Sequence, residues 1–197
     1  MIVSIHQPHY MPWGGYFNKI YNSDVFVLLD TVQFEKNGWQ NRNKIKTNQG
    51  EQWLTVPVKH KLGQKIYDVE ISGSKWIKKH IKTIEQNYKC RDNDNWKTIR
   101  SILEKNYNKL SDLNCELVSK ICNILGITTS LLKASELGVD GNNADDRIIN
   151  IVRKIGGTVY LAGIGGKNYM DLKKYPFTVQ LQHHYEGESI SIIDKFL

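Results

Sequence analysis

Hydrophobic and polar positions follow two different periods along the chain, and the changes of period mark its elements. An apolar run at 2–5 predicts a short buried strand, and the segment DVFVLLD at 24–30 predicts a second. A helical pattern at about 14–21 lies between them, which gives the strand, helix, strand order of a parallel α/β unit. Alternating segments at about 41–47 and 52–58 flank a short polar turn and predict a β-hairpin.

The second half of the chain is helical before it returns to strands. Apolar residues recur at helical spacing in three stretches between about 74 and 126, which predicts a helical subdomain. A further helix is predicted at 143–155 and an edge strand at 65–71. Later strands are predicted at about 128–134, 158–161 and 178–181. The predicted fold is therefore α/β: a single domain over 1–197 with a mostly parallel, Rossmann-like sheet, a β-hairpin insertion and the helical subdomain.

Composition narrows the class of protein. Hydrophobic residues make up 40% of the 197 residues, and no apolar run reaches the roughly 18 residues that a membrane span needs. The N-terminus begins with a strand pattern rather than a basic segment followed by an apolar one, so we expect a cytoplasmic location. Cys90, Cys115 and Cys122 stand outside metal-ligand spacings, which predicts buried free thiols and no metal site.

The formal net charge of +7 favours an anionic partner. Candidates are a nucleotide, a nucleotide sugar, a phosphorylated carrier or a nucleic acid. The basic residues are dispersed among acidic ones and no recognition motif occurs, so we do not expect nucleic acid. Part of the basic excess is also explained by an ordinary solvated surface.

The loop after the first strand carries the densest candidate chemistry. His6 directly follows that strand, His9 lies three residues further in the loop, and Asp30 ends the next strand, so parallel neighbouring strands would bring all three to one edge. An imidazole oriented by a carboxylate is the usual arrangement of a general base. The alternative is that these are structural groups and that Asp30 caps the following turn. Substrate contacts are predicted from the same loop at Gln7, Tyr10 and Trp13.

An amide-rich segment follows the second strand. Arg42 and Lys44 occupy alternate positions, hence one face of a strand, and could hold a phosphate or carboxylate. The alternative is a solvated hairpin face whose charges protect against aggregation. Further contacts to polar groups of a substrate are predicted at Gln33, Trp39, Gln40 and Asn41.

A glycine-rich loop follows the strand predicted at 158–161. Its spacing matches neither a Walker motif nor a dinucleotide fingerprint, but backbone amides in such a loop could hold an anion. The candidate residues are Gly163, Gly165, Lys167 and Tyr169. Near the C-terminus, the adjacent His183 and His184 would point to opposite faces of a strand, so at most one of them would serve a given site.

Several segments together resemble the WbqC-like protein family over nearly the whole chain. They are HQPHYMPWGGYFNKI, SDVFVLLDTVQFEKNGWQNRNKIKT, QWLTVPV, TVYLAGIGGKNYM and SIIDKFL. The resemblance implies a role in bacterial O-antigen or other surface-glycan biosynthesis, with transfer of an acyl or aminoacyl group to an activated amino sugar as a plausible reaction. It implies a nucleotide-linked or lipid-linked sugar substrate, and it offers an acyl or aminoacyl donor as the candidate cofactor.

Motif residues carry over by position, with two departures from the family pattern. His9 stands where the family commonly has Asn, and the tail at 183–184 lacks a His-Pro-x-Tyr pattern. The matching positions are His6, Gln7, Pro8, Tyr10, Pro12, Trp13, Gly14, Tyr16, Asp30, Gln33, Trp39, Gln40, Asn41, Arg42 and Lys44. The hypothesis is a group-transfer enzyme with His6 as general base, oriented by Asp30 or by an amide.

Two other functions remain open from the sequence. The spacing of His6 and His9 is similar in outline to nucleotidylyltransferases of the HxGH type, although the glycine is missing. A non-catalytic module that binds glycans or nucleic acid would use stacking surfaces, which 5 Trp and 10 Tyr could supply.

Overall fold

The computed structural model describes residues 1–168, 170–183, 185–187 and 189–197, with backbone alone at 167 and 168. In chain order the elements are β1 (Ile2–His6), α1 (Gly14–Tyr21), β2 (Val25–Leu28), β3 (Arg42–Thr47), β4 (Gly50–Thr55), β5 (Val58–Lys59), β6 (Glu70–Ile71), α2 (Lys75–Tyr88), α3 (Asp94–Leu103), α4 (Leu110–Ile124), β7 (Ser130–Lys133), α5 (Ala144–Ile155), β8 (Val159–Ala162) and β9 (Thr178–Leu181). Short 3₁₀ helices lie at Ile66–Asp68, Ala134–Glu136, Ile164–Asn168, Leu172–Lys174 and Ile192–Lys195.

The central sheet confirms the predicted α/β class. It has 5 strands in the order β7, β2, β1, β8, β9, and each neighbouring pair is parallel. From β1 the chain adds β2 and β7 on one side, then crosses to add β8 and β9 on the other. The direction of winding therefore reverses between β1 and β8. In open α/β sheets the carboxyl edge beside such a reversal is the usual place for a ligand.

The two faces of the sheet pack against different helices because side chains alternate along each strand. Val3 and Ile5 of β1 join the cluster formed with α5, which also contains Tyr160 of β8. On the opposite face, Tyr16 and Ile20 of α1 belong to the larger core that extends into the helical subdomain. The carboxyl edge of β1 is thus bordered by α1 on one face and by α5 on the other.

The hairpin and the helical subdomain are confirmed. β3 and β4 pair antiparallel, with Lys44 opposite Trp53, and α2, α3 and α4 follow β6 in sequence. The edge strand predicted at 65–71 is wrong over most of its length. Ile66 and Val69 are both fully buried because a 3₁₀ turn brings residues three apart to the same side, and only Glu70–Ile71 is a strand.

A buried amide ties the helical subdomain to the sheet. Asn114 of α4 is fully buried, and its Nδ2 donates to the backbone carbonyls of Pro8 at 3.0 Å and Gln40 at 2.7 Å. These two carbonyls belong to the loop after β1 and to the segment before β3. One side chain therefore fixes the distance between the two motifs that the sequence singled out. In the described part of the chain, no helix is long and apolar enough to cross a membrane.

Candidate functional site

A cavity of about 370 Å³ lies at the carboxyl edge of β1 and β2, beside the first turn of α5. Its polar lining consists of His6, Gln7, Arg147 and Tyr160. The aliphatic lining consists of Ile5, Leu29, Val32, Ala144, Ile148 and Ile151. This mixture of an apolar wall and a few polar groups, in a volume of this size, is typical of a small-ligand site. A depression of about 700 Å³ around Asp140 and Lys174 contains none of the residues predicted from sequence.

His6 presents a neutral imidazole at this cavity. Its Nδ1 lies 3.2 Å from the backbone carbonyl of Gln7, which can only accept, so Nδ1 carries the proton and Nε2 carries the lone pair. Burial and, to a smaller extent, the nearby Lys19 ammonium together lower the pKa of His6 to about 3. At neutral pH the ring is therefore an uncharged hydrogen-bond acceptor at Nε2.

His9 packs edge-on against His6, with 4.6 Å between the ring centroids, and both rings contact Tyr16. Burial and the neighbouring His6 hold the pKa of His9 well below its usual value. Two uncharged imidazoles attract phosphate less than two cationic ones would. The arrangement gives the nucleotidylyltransferase alternative no electrostatic support.

Lys19 of α1 lies buried beneath His6. Its Nζ donates to the backbone carbonyl of Ile5 at 2.9 Å. Ile5 lies just beyond the part of β1, Ile2 to Ser4, that pairs with β8. Burial lowers the pKa of Lys19 to about 7. The ammonium thus satisfies a carbonyl near the point where the two central strands diverge.

Asp30 is brought to the same edge as His6, but its carboxylate is used elsewhere. Oδ1 accepts from the backbone N–H of Ser135 at 2.9 Å, and Oδ2 accepts from the Ser135 hydroxyl at 2.7 Å. Ser111 Oγ lies 3.4 Å from Oδ2. The recorded bonds of Asp30 do not include His6, whose ring is oriented by the Gln7 carbonyl instead. Of the two orienting groups expected from sequence, an amide and Asp30, the ring therefore contacts an amide carbonyl, and the Asp30 carboxylate joins the end of β2 to the end of β7.

Gln7 is held from two directions. Its backbone carbonyl accepts from Tyr16 Oη at 3.1 Å as well as from His6, and its side-chain Oε1 accepts from Gln40 Nε2 at 2.7 Å. Gln40 is itself fixed because its Oε1 accepts from the backbone N–H of Glu35 at 3.0 Å. This pair of amides connects the HQP segment to the WQNRN segment.

The other amide and aromatic candidates lie apart from the cavity lining. Tyr10 is fully buried with its hydroxyl 2.9 Å from His80 Nδ1, and Asn41 is buried with its Nδ2 donating to the Val56 carbonyl. Gln33 is exposed and forms an isolated bridge with Lys65. Trp13 packs edge-on against Tyr185 at 5.6 Å between centroids. Tyr10 and Asn41 therefore support the loops from within the core.

The cationic pair of the hairpin is also separate from the cavity lining. Arg42 and Lys44 lie on the outer face of β3, where Arg42 Cζ is 4.1 Å and Lys44 Nζ is 5.1 Å from the Trp53 ring centroid. Trp39 lies beside Trp53, with 5.5 Å between centroids. These four residues form a separate exposed surface, which we call the indole face.

The glycine-rich loop is partly helical. Gly163 precedes the 3₁₀ helix Ile164–Asn168, in which Gly165 lies, and a Cβ atom at either glycine would meet only open space. Lys167 as a side chain, Tyr169 and His184 lie outside what the structure describes. Anion binding by this loop remains a prediction.

Comparison with known proteins identifies the family of the chain. The model of the WbqC-like protein family matches residues 7–185, which is most of the chain. The chain belongs to the WbqC-like protein family. The match confirms the resemblance seen in the HQP and WQNRN segments.

One relative of this WbqC-like chain is an uncharacterized protein of Mycobacterium tuberculosis. It is 38% identical over 176 residues, which cover 86% of this chain and 75% of the relative. No solved structure matches.

Sequence reasoning about the WbqC-like chain missed the cation of the cavity, Arg147. It lies in the first turns of α5, where its Nε donates to Asp140 Oδ1 at 2.6 Å. Its Nη2 lies 3.4 Å from the Gly141 carbonyl. In the sequence, Arg147 sits among polar residues at the start of an amphipathic helix, a position typical of solvated surface. Only the crossover from β7 to β8 brings it opposite the end of β1.

Proposed function

We propose that this WbqC-like protein transfers an acyl or aminoacyl group to the amino group of an activated sugar in bacterial surface-glycan biosynthesis. The observation that carries the proposal is the cavity at the carboxyl edge of β1, where an aliphatic wall meets an uncharged imidazole. An aliphatic wall suits the hydrocarbon part of an acyl group, because burying each CH₂ contributes about 0.8 kcal/mol. Family membership supports the biological setting.

Arg147 would bind the anionic part of the donor. Its Nε and Nη2 are held by the Asp140 side chain and the Gly141 carbonyl, which fixes the plane of the guanidinium. Among the described residues, Nη1 has no hydrogen-bond acceptor, so this nitrogen can donate to a carboxylate or phosphate oxygen of the donor. The Asp140 carboxylate partly offsets the charge of Arg147, so a single anionic group suits this site better than a polyphosphate does.

His6 would act as the base in the transfer. The amine nitrogen of the sugar attacks the acyl carbonyl carbon and forms the new N–C bond, while the bond from that carbon to the donor's leaving group breaks. The Nε2 lone pair of His6 accepts the proton that the amine loses and then delivers it to the leaving group. With a pKa of about 3, His6 is a weak base in the unliganded site. A bound anionic donor beside the ring would raise that pKa toward the working pH, so the proposal requires the donor to bind before the proton is transferred.

Gln7 would position the acceptor, because its backbone and side-chain oxygens are both already held. Its side-chain Nε2 then points in a direction fixed by the bond from Gln40 to Oε1. A fixed amide donor at the cavity can bind a sugar hydroxyl or the acyl carbonyl oxygen without losing further freedom.

His6→Ala is expected to lower the rate of acyl transfer by about 10² to 10⁴, because a positioned proton acceptor is lost. The assay incubates the protein with acyl-CoA or aminoacyl donors and a nucleotide-linked amino sugar, and measures the N-acylated sugar by mass spectrometry. The matched control is His60→Ala, an imidazole that lines a different depression beside Phe34. A His6→Ala protein that stays folded and transfers at the wild-type rate would rule out the role of His6.

Arg147→Met is expected to raise KM for an anionic donor at least tenfold and to change kcat less, because the substitution removes a charge that binds the donor rather than the reacting atoms. If no acyl or aminoacyl donor gives a product with the wild-type protein, the transfer proposal fails as a whole.

A further inference from the structure

The indole face presents two large aromatic side chains to solvent. Trp39 and Trp53 are each 40% exposed, and their rings are inclined at 41° with 5.5 Å between centroids. Neighbouring exposed indoles are costly for a folded protein unless they bind something, because each leaves apolar area in water. The backbone carbonyl of Trp39 accepts from the N–H of Tyr10 at 3.0 Å, so its position is anchored to the loop after β1.

The register of the hairpin places cations over one of these rings. Lys44 is directly opposite Trp53, and Arg42 lies two residues earlier on the same face of β3. Arg42 Cζ is 4.1 Å from the Trp53 ring centroid, within the range of a cation–π contact. Asn43 and Ile45 alternate with these residues and are buried, so the hairpin cannot turn the cations inward.

Arg42 differs from Lys44, the other cation of the indole face, because it lacks a carboxylate partner among the described residues. Lys44 pairs with Glu51, and Arg91, Arg100 and Arg147 each pair with a carboxylate. Among the described residues, no carboxylate pairs with Arg42, and its buried Nε has no hydrogen-bond partner. A guanidinium that contacts an indole through Cζ and lacks an ion-pair partner can still donate hydrogen bonds to an anionic group.

We infer that the indole face binds an anionic saccharide, a sugar ring that carries a carboxylate or phosphate. The C–H bonds of a sugar ring carry small positive charges and lie against the negative faces of aromatic rings. The two indole planes diverge, so a flat nucleobase cannot stack on both of them, whereas a puckered ring presents C–H bonds in several directions. The anionic substituent then reaches the guanidinium edge of Arg42.

In the proposed transfer this surface would hold the activated sugar, whose phosphate makes it an anionic saccharide. The inference rests on the proposed function for that role alone. Binding itself needs neither a donor nor the cavity. Gln40 follows Trp39 in the chain and bonds to Gln7 of the cavity, so the two sites are connected through one pair of amides.

Intrinsic tryptophan fluorescence tests the inference, because both indoles would be shielded by a bound sugar. The probes are tetragalacturonate, its neutral methyl ester, glucose 1-phosphate and an oligothymidylate of similar charge. We expect tetragalacturonate to change the emission and to bind at least tenfold tighter than its methyl ester. The glucose 1-phosphate titration shows whether a phosphate serves as well as a carboxylate.

Three variants and one control locate the binding. Trp53→Ala should weaken tetragalacturonate at least tenfold, and Trp39→Ala gives the same test outside the strands in case Trp53→Ala does not fold. Arg42→Met should bring the affinity for tetragalacturonate down to that for its methyl ester. Arg153→Met removes the same charge from an exposed position of α5 and should leave binding unchanged.

Three outcomes would overturn the inference. They are equal affinity for the acid and its ester, no binding of any saccharide, and tighter binding of oligothymidylate that depends on Trp53. Arg147→Met separates the two proposals, since it should weaken acyl transfer while leaving tetragalacturonate binding intact. Binding without transfer would then leave this inference standing and refute the proposed reaction alone.

Discussion

Lowering the pH from 7.5 to 5 is expected to cost about 2 kcal/mol of the free energy of unfolding for each of two buried histidines, His6 and His80, and the buried His9 adds to this loss. Burial lowers the pKa of His6 to about 3 and of His80 to about 4, and holds that of His9 well below its usual value. The unfolded chain binds a proton at each of these rings below about pH 6.5, whereas the folded chain does not. The stability that these neutral rings contribute is therefore fully present above that pH, and it is lost as the pH decreases toward the folded pKa values.

The combined loss, on the order of 4 to 6 kcal/mol, is comparable to the whole stability of many domains. It would appear in urea unfolding curves at a series of pH values as a steep fall of the midpoint. The pKa of Lys19, lowered to about 7, acts in the same direction at higher pH, so stability should keep rising from pH 7 to about 9. Above about pH 9 the buried thiols of Cys115 and Cys122 oppose this gain, because burial raises the pKa of each to about 12 in the folded chain.

His80→Gln isolates one of the three contributions. Glutamine can still accept a hydrogen bond from Tyr10 Oη but does not titrate, so the acid-induced loss should fall by about 2 kcal/mol. His60→Gln makes the same exchange outside this group and should leave the loss in place. A midpoint that does not change between pH 7.5 and 5 would show that the rings are protonated in the folded protein.

Asn114→Leu is expected to destabilise the protein by about 2 to 5 kcal/mol, because it leaves the carbonyls of Pro8 and Gln40 buried without a donor. Urea unfolding at pH 7.5 measures this loss. Asn123→Leu places the same substitution on an exposed position of α4 and is expected to change stability by less than about 0.5 kcal/mol.

The same substitution should also affect the candidate site. Loss of the bonds to Pro8 and Gln40 frees the two segments that carry Gln7 and Trp39, so both acyl transfer and saccharide binding should weaken in the fraction that stays folded. If Asn114→Leu is as stable as Asn123→Leu, then water or a local shift satisfies the two carbonyls, and the side chain is not the tie that its bonds indicate.

Periodicity made much of the fold predictable. The boundaries of α1 and β9 are those expected from sequence, and the start of α5 differs from the prediction by one residue. These boundaries were predictable because a proline, a glycine or a capping residue stands beside each pattern. The prediction of an edge strand at 65–71 was wrong because the buried residues Ile66 and Val69 are three apart, on one side of a 3₁₀ turn. In so short a segment, this spacing is hard to distinguish from the alternation of a strand.

The site was less predictable because partners come from distant parts of the chain. Asp30 was expected at the same edge as His6 and lies there, but Ser135, 105 residues later, takes its carboxylate. Arg147 looked like the solvated side of a helix until the crossover placed it at the cavity. The proximity of strand ends follows from topology, whereas the direction of each side chain depends on neighbours that sequence spacing does not reveal.

The central position of β1 has a consequence for synthesis of the chain. Met1 bonds to Thr158, 157 residues later, where β8 begins to pair with β1. At translation rates of about 5 to 20 residues per second, the first strand would wait roughly 8 to 30 s for this neighbour. Until then one edge of an apolar strand stays unpaired, so the nascent segment from β1 to α5 would need protection from aggregation, and the sheet would close only after β8 and β9 have been made.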